Sequence, residues 1–261
     1  MVAIDIIVFA GVDKDKVAEA GRASGRQAPG PDAYGRWWYV SGWLSPEKVA
    51  EVTRALDLTG VFVNGVLGGV LARGRRLDLF GFLTIGVVSG LGGGVIRDTL
   101  LQHGTPVALT DYTYLTTAVA GTVLAFVLDL SRHTSGPAFN LLDGVAISVW
   151  AVAGAQKTLA TGLGWLPAVL LGIITAVGGG IVRDLLLGRT PGVFGGSPLY
   201  ATVAAQVSVV TVFCIWLGVP TLGIVVGITG GTALRIAALT WGWKLPGGRD
   251  WQPRISRHRE S

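Results

Sequence analysis

Gly92-Gly93-Gly94-Val95-Ile96-Arg97-Asp98 and Gly178-Gly179-Gly180-Ile181-Val182-Arg183-Asp184 are two copies of one motif, each set inside an apolar run. Three glycines strip side chains from a helix and loosen its backbone. An Arg-Asp pair directly after them puts ionised groups where a bilayer makes them costly. The chemistry this combination allows is ion handling. Glycines can kink or unwind a helix and bare carbonyl oxygens toward a cation or water, and charges beside them can line the same path. The plainer use of such glycines is close approach of a neighbouring helix. Both triplets lie mid-run and both are followed by charge, so the kink is the expectation.

Arg97 and Arg183 each fall about 4.5 Å of helix beyond their last glycine. Neighbours in sequence do not face each other on a helix, so neither arginine is expected to be satisfied by the aspartate beside it, Asp98 or Asp184. Asp57 is the candidate partner for Arg97, and Asp143 for Arg183. Lys157, in Gly154-Ala155-Gln156-Lys157, can snorkel to the headgroups or line the path. Arg235 lies about 13 Å of helix before Lys244, deep enough to need a partner or a cavity. The candidate ion pathway is therefore Gly92, Gly93, Gly94, Arg97, Asp98, Gly178, Gly179, Gly180, Arg183 and Asp184, with Asp57, Asp143, Lys157 and Arg235 as possible charge partners. The competing reading places these charges in purely structural ion pairs.

Other chemistries find no support. Gly90-Leu91-Gly92-Gly93-Gly94-Val95 lacks the last glycine of a dinucleotide fingerprint, and no Lys-Ser/Thr ending makes a phosphate loop. His103, His133 and His258 share no metal-ligand spacing, and the lone Cys214 in an apolar run can form neither an intrachain disulfide nor a cysteine cluster. No Ser/His/Asp set or paired catalytic carboxylates are present, so neither an enzyme nor a cofactor is expected. Asn64 reads as glue between helices.

The elements that must position these residues are membrane helices. Half of the residues are hydrophobic and 14% are charged, against about 25% charge in an ordinary soluble domain. Forty glycines among 261 residues, without a collagen period, fit closely packed spans. Seven apolar segments follow at about 58–72, 79–101, 112–129, 141–160, 166–188, 199–218 and 221–243, separated by Gly, Pro and Arg turns. An offset of 86 residues carries Asp57 onto Asp143, Gly86 onto Gly172, the first triplet onto the second and Tyr114 onto Tyr200. Three spans per copy is an odd number, so the copies must run in opposite orientations. The expected fold is an all-α polytopic membrane protein of seven transmembrane helices: two inverted three-helix repeats (56–130 and 140–218) plus a seventh helix (219–245).

Before them, residues 1–55 read as a poorly ordered N-terminal extension, with a short helix from Ser45 to Leu56. After them, 246–261 form a basic tail. Arg73, Arg75, Arg76, Arg132, Arg189 and the tail fall on one side of the membrane, which sets the N-terminus outside and the C-terminus in the cytoplasm. The basic tail is a topology signal with some attraction to anionic lipid, and nucleic acid is not an expected partner. Gly223, Gly227 and Gly231, and Gly65 with Gly69, form small-residue ladders suited to packing within or between protomers.

Leu56-Asp57-Leu58, Arg76-Leu77-Asp78-Leu79-Phe80-Gly81, the doubled Gly-Gly-Gly-x-x-Arg-Asp, Gly154-Ala155-Gln156-Lys157 and Trp241-Gly242-Trp243-Lys244-Leu245-Pro246 together resemble the prokaryotic trimeric intracellular cation (TRIC) channel family. Its domain is also labelled a bacterial glycine-transporter domain. The resemblance covers about residues 56–246. It implies a homotrimer with a pore in each protomer, helices 2 and 5 kinked at the glycines, and potassium as the main permeant monovalent cation. The expected function is an inner-membrane cation channel. The alternative is a secondary transporter of a small amino acid such as glycine, whose carboxylate a half-helix N-terminus could hold.

Overall fold

A computed structural model describes residues 46–128, 136–194 and 199–243. The expected extension up to residue 45, Arg132, His133 and the basic tail lie outside these residues. Among the described residues the long helices are α1 (Pro46–Arg73), α2 (Leu79–Leu101), α3 (Tyr112–Val127), α4 (Pro137–Ala160), α5 (Trp165–Leu186), α6 (Tyr200–Trp216) and α7 (Pro220–Trp241). A single helical turn, Val107–Thr110, precedes α3, and a 3-10 turn, Gly192–Phe194, precedes α6. Helices α2, α4, α5 and α7, and α1 from Glu51 onward, are long and apolar enough to cross a membrane; α3 and α6 are shorter apolar helices.

The boundaries follow local chemistry. Asp78 caps α2 by accepting the Gly81 N–H at 2.7 Å, and Asp111 caps α3 by accepting the Thr113 N–H at 3.0 Å. Pro137 and Pro220 open α4 and α7, where a missing N–H has no partner to lose. One boundary differs from expectation: the short helix to Leu56 and the first span are a single 28-residue helix. No Gly or Pro interrupts 47–59, and Arg54 is tied to the α3 cap, donating to Asp111 at 2.8 Å and Thr113 at 3.1 Å.

Helix α1 packs on α2, α3 and α4; α4 packs on α5, α6 and α7; and α2 crosses α5 between the two groups. The centre is therefore α1 and α4, where Val61, Trp150, Ala151, Val152 and Ala153 are fully buried. Outward faces carry large apolar side chains such as Val127, Phe213 and Leu222. Hydroxyl residues sit inside and donate to their own helix, Thr122 to Ala118 O at 2.7 Å and Ser208 to Ala204 O at 2.8 Å. The same contact recurs 86 residues on. A Cβ at Gly86 would strike Thr122, and one at Gly172 would strike Ser208; Gly68 lies on Ser89 as Gly154 lies on Thr175.

Candidate functional site

The glycine triplets meet where α2 crosses α5. A Cβ on Gly92 would stand 3.2 Å from Gly179 Cα, one on Gly179 would stand 2.5 Å from Ser89 O, and one on Gly93 would overlap Thr175 O. The third glycines differ. Gly94 faces Trp150 and the Arg97 guanidinium, and Gly180 faces Arg183 and the Tyr200 hydroxyl at 3.5 and 3.6 Å from an added Cβ. Unwinding of the backbone is not found: both helices run as continuous α-helix through their triplets. Apolar surroundings keep the backbone groups paired inside the helix, and the missing side chains serve interhelical approach.

Beyond the crossing, toward the C-terminal end of α2, lies the first charge cluster. Arg97, 1% exposed, donates its Nη1 and Nη2 to the two carboxylate oxygens of Asp57 at 2.7 and 2.9 Å. This forked pairing is the strongest geometry available to an arginine. Its Nε donates to Asp98 Oδ1 at 2.8 Å, which corrects the expectation that adjacent residues cannot meet. The long arginine stem aims the fork at α1 and thereby turns Nε back along its own helix. Asp98 also takes Lys157 Nζ at 2.9 Å and the Val107 N–H at 3.1 Å. Lys157 thus spans from α4 to α2 instead of reaching for headgroups. Tyr114 donates to Asp57 at 3.4 Å, and the Trp150 ring lies 5.9 Å from the Arg97 guanidinium carbon.

The second cluster lies at the opposite end of the bundle, about 21 Å along α4 from Lys157 to Asp143. Asp143 does not pair with Arg183, as the repeat had led one to expect. Its Oδ2 accepts from Arg235 Nε and Nη2 at 2.9 and 2.8 Å. The seventh helix lies against α4 here, with Thr232 Cγ2 and Arg235 Cβ 3.3 and 3.4 Å from a Cβ added at Gly144, and it delivers its own arginine to that carboxylate. Arg183 turns to Asp184, with Nε and Nη2 both 3.0 Å from Oδ1. Asp184 Oδ2 faces the Gly192 N–H at 3.4 Å, as Asp98 faces that of Val107. The Tyr200 ring lies 4.8 Å from the Arg235 guanidinium carbon. Among the described residues each cluster brings together two carboxylates and two cations.

All of the expected site residues thus fall in one of three places: the crossing (Gly92–Gly94 and Gly178–Gly180), the first cluster (Asp57, Arg97, Asp98, Lys157) or the second (Asp143, Arg183, Asp184, Arg235). Sequence reasoning missed Trp150, Tyr114 and Tyr200 as members. The tyrosines carried a signal, being carried onto each other by the same offset as the aspartates; Trp150 carried none. Among the described residues no group of His, Cys, Asp and Glu is placed to hold a metal ion.

Comparison with known proteins agrees with this architecture. A family model described as glycine transporter matches twice, over residues 54–129 and 140–216. A UPF0126 membrane protein of Deinococcus radiodurans is 37% identical over 76% of this chain and 90% of its own length. The UPF0126 inner membrane protein YadS of Escherichia coli K12 is 35% identical over 73% of this chain and 93% of its own. Among solved structures, the TRIC trimeric intracellular cation channel orthologue from Rhodobacter sphaeroides superposes with a TM-score of 0.67 at 32% identity, covering 73% of this chain and 98% of that one. A TRIC cation channel structure concerned with conductance gives 0.67 at 30% identity, over 74% and 96%. The chain is an all-helical membrane protein and belongs to the TRIC family, whose domain carries the description glycine transporter.

Proposed function

We propose that this chain is a potassium-permeable monovalent cation channel of the inner membrane, working as a homotrimer with a pathway inside each protomer. The observation that carries the reading is the pairing of two charge clusters, one buried and one partly buried, on either side of one glycine-packed helix crossing, in a fold shared with TRIC channels. On this reading α1–α3 and α4–α6 are two inverted repeats, all seven helices cross the bilayer, and α7 stands outside the repeats. The contacts that recur 86 residues apart support it. Arg73, Arg75, Arg76 and Arg189 share the end of the bundle that holds the second cluster, which makes that end cytoplasmic and the N-terminus external.

A cation entering from either end meets carboxylates, Asp57 and Asp98 at one mouth and Asp143 and Asp184 at the other. Paired arginines and Lys157 offset those carboxylates at rest, so that a cation is neither repelled nor trapped. Gly94 and Gly180 leave room beside the arginine heads, where a side chain would narrow the path. The runner-up reading, a carrier of glycine, rests on the family description alone. Planar-bilayer recording of the purified protein in asymmetric potassium chloride separates the two, with glycine counterflow run on matched liposomes. Unitary currents reversing near the potassium potential, and altered in Arg97→Gln and Arg183→Gln, are the expected result. Silent bilayers with saturable glycine exchange would move the assignment to a carrier.

A further inference from the structure

Several contacts recur at positions 86 residues apart, but the two repeat arginines are paired differently. In the first set, Asp57 takes the arginine of its own repeat, Arg97, through both fork nitrogens. In the second, the equivalent Asp143 takes Arg235 from α7. Arg183, the equivalent of Arg97, is left with Asp184. It spends Nε and Nη2 on a single carboxylate oxygen, and its Nη1 has no partner among the described residues. Arg183 nevertheless stays beside Tyr200. Its guanidinium and the Tyr200 hydroxyl both border Gly180, and the Arg235 guanidinium lies over that same Tyr200 ring. Two arginines therefore flank one tyrosine, and both carry the fork that Asp143 accepts.

We propose that Asp143 is an exchangeable carboxylate. It holds Arg235 and docks α7 in the state seen here, and it takes Arg183 in a second state that frees the C-terminal half of α7 from α4. The physical grounds are the repeat: Asp143 stands where Asp57 stands and Arg183 where Arg97 stands, so the exchange keeps the partly buried Asp143 paired while it releases Arg235 and Asp184 from their present partners. The Asp57–Arg97 pair is the pattern for the second state. Because α7 meets α4 through Gly144, with Thr232 and Arg235 seated on it, loss of the ion pair removes a charge-assisted contact between the two helices at that end. If the channel reading holds, the exchange is a gate. Drawing Arg183 onto Asp143 clears its head from Gly180 and leaves Asp184 to meet a cation.

A double-mutant cycle tests the exchange without reference to current. Asp143→Asn, Arg183→Gln and the double variant are compared by thermal unfolding of the full-length trimer, first in the native background and then with Arg235→Gln. The expected result is near-additive shifts in the native background and clearly non-additive shifts once Arg235 is gone, because Asp143 then pairs with Arg183. Equal coupling in both backgrounds would overturn the proposal. Should Arg235→Gln not fold, Arg235→Lys weakens the same fork and is read in the same way.

Spin labels replacing Leu141 and Trp241, both exposed at the ends of α4 and α7 that flank this cluster, on a Cys214→Ser background, report the separation of the two helices. Arg235→Gln is expected to add a longer-distance population; an unchanged distribution would overturn the release of α7. Exchange without current would sink the channel reading and leave the exchange standing.

Discussion

At the scale of single residues, the first cluster is the more demanding. Arg97 is shielded from water and depends on Asp57 and Asp98 for all three of its donor directions. Removing one partner of a buried pair leaves the other charge uncompensated, at a cost of about 3–5 kcal/mol. Asp57→Asn is therefore expected to lower the thermal midpoint in detergent severely, and Asp57→Asn with Arg97→Gln to recover part of the loss. Lys157→Gln is expected to cost less, since its side chain retains 23% exposure and water can replace Asp98.

Asp111, at the α3 cap outside the spans, behaves differently. Hydrogen bonds from the Thr113 hydroxyl and from Arg54 hold its carboxyl down at about 2. A depressed carboxylate contributes stability above its unfolded value of about 3.9, and that contribution disappears as pH falls toward 2. Subtracting the stability–pH profile of Asp111→Asn from that of the wild type should leave a step confined to that window. A flat difference would show that the cap does not persist in the folded protein.

At the scale of elements, the glycine triplets are two devices in one motif. The first two glycines of each triplet let α2 and α5 touch backbone to backbone, and the third leaves space beside an arginine. Gly93→Ala and Gly179→Ala push a methyl group against Thr175 O and Ser89 O, backbone atoms that cannot swing aside. Overpacking of this kind costs about 1–3 kcal/mol or more. Gly94→Ala and Gly180→Ala place theirs at ordinary contact distance and are expected to unfold within a degree or two of the wild type while changing unitary conductance. Unfolding midpoints of the four variants, measured side by side, check the division. Equal losses in all four would mean that the third glycines are packing residues as well. The element boundaries were open to sequence reasoning because Pro, Gly and capping Asp act locally. The join of the extension to α1 was not, since nothing local says that Arg54 will be anchored by Asp111 on another helix.

At the scale of the whole molecule, the placement of arginines gives an orientation that can be read from outside. On a Cys214→Ser background, Thr105→Cys in intact cells is expected to react with an impermeant maleimide, and Arg75→Cys only after permeabilisation. The reverse pattern would invert the proposed topology. Native mass spectrometry of the protein in detergent is expected to give a trimer, and a monomer that still conducts would separate the pathway from the assembly.

The apolar lengths, the turns between them, the doubled motif and the Asp57–Arg97 partnership were determined by the amino-acid sequence itself. They depend on composition, periodicity and a repeat, all of which are visible along one dimension. Which cation Asp143 holds was decided only by tertiary structure. Arg183 and Arg235 are the same residue type at similar depth, and the choice turns on α7 lying against Gly144 on α4. The use of the glycines was decided at the same level. A missing side chain permits both local unwinding and a close approach; the presence of α5 directly across α2 provides the approach, and both helices stay wound.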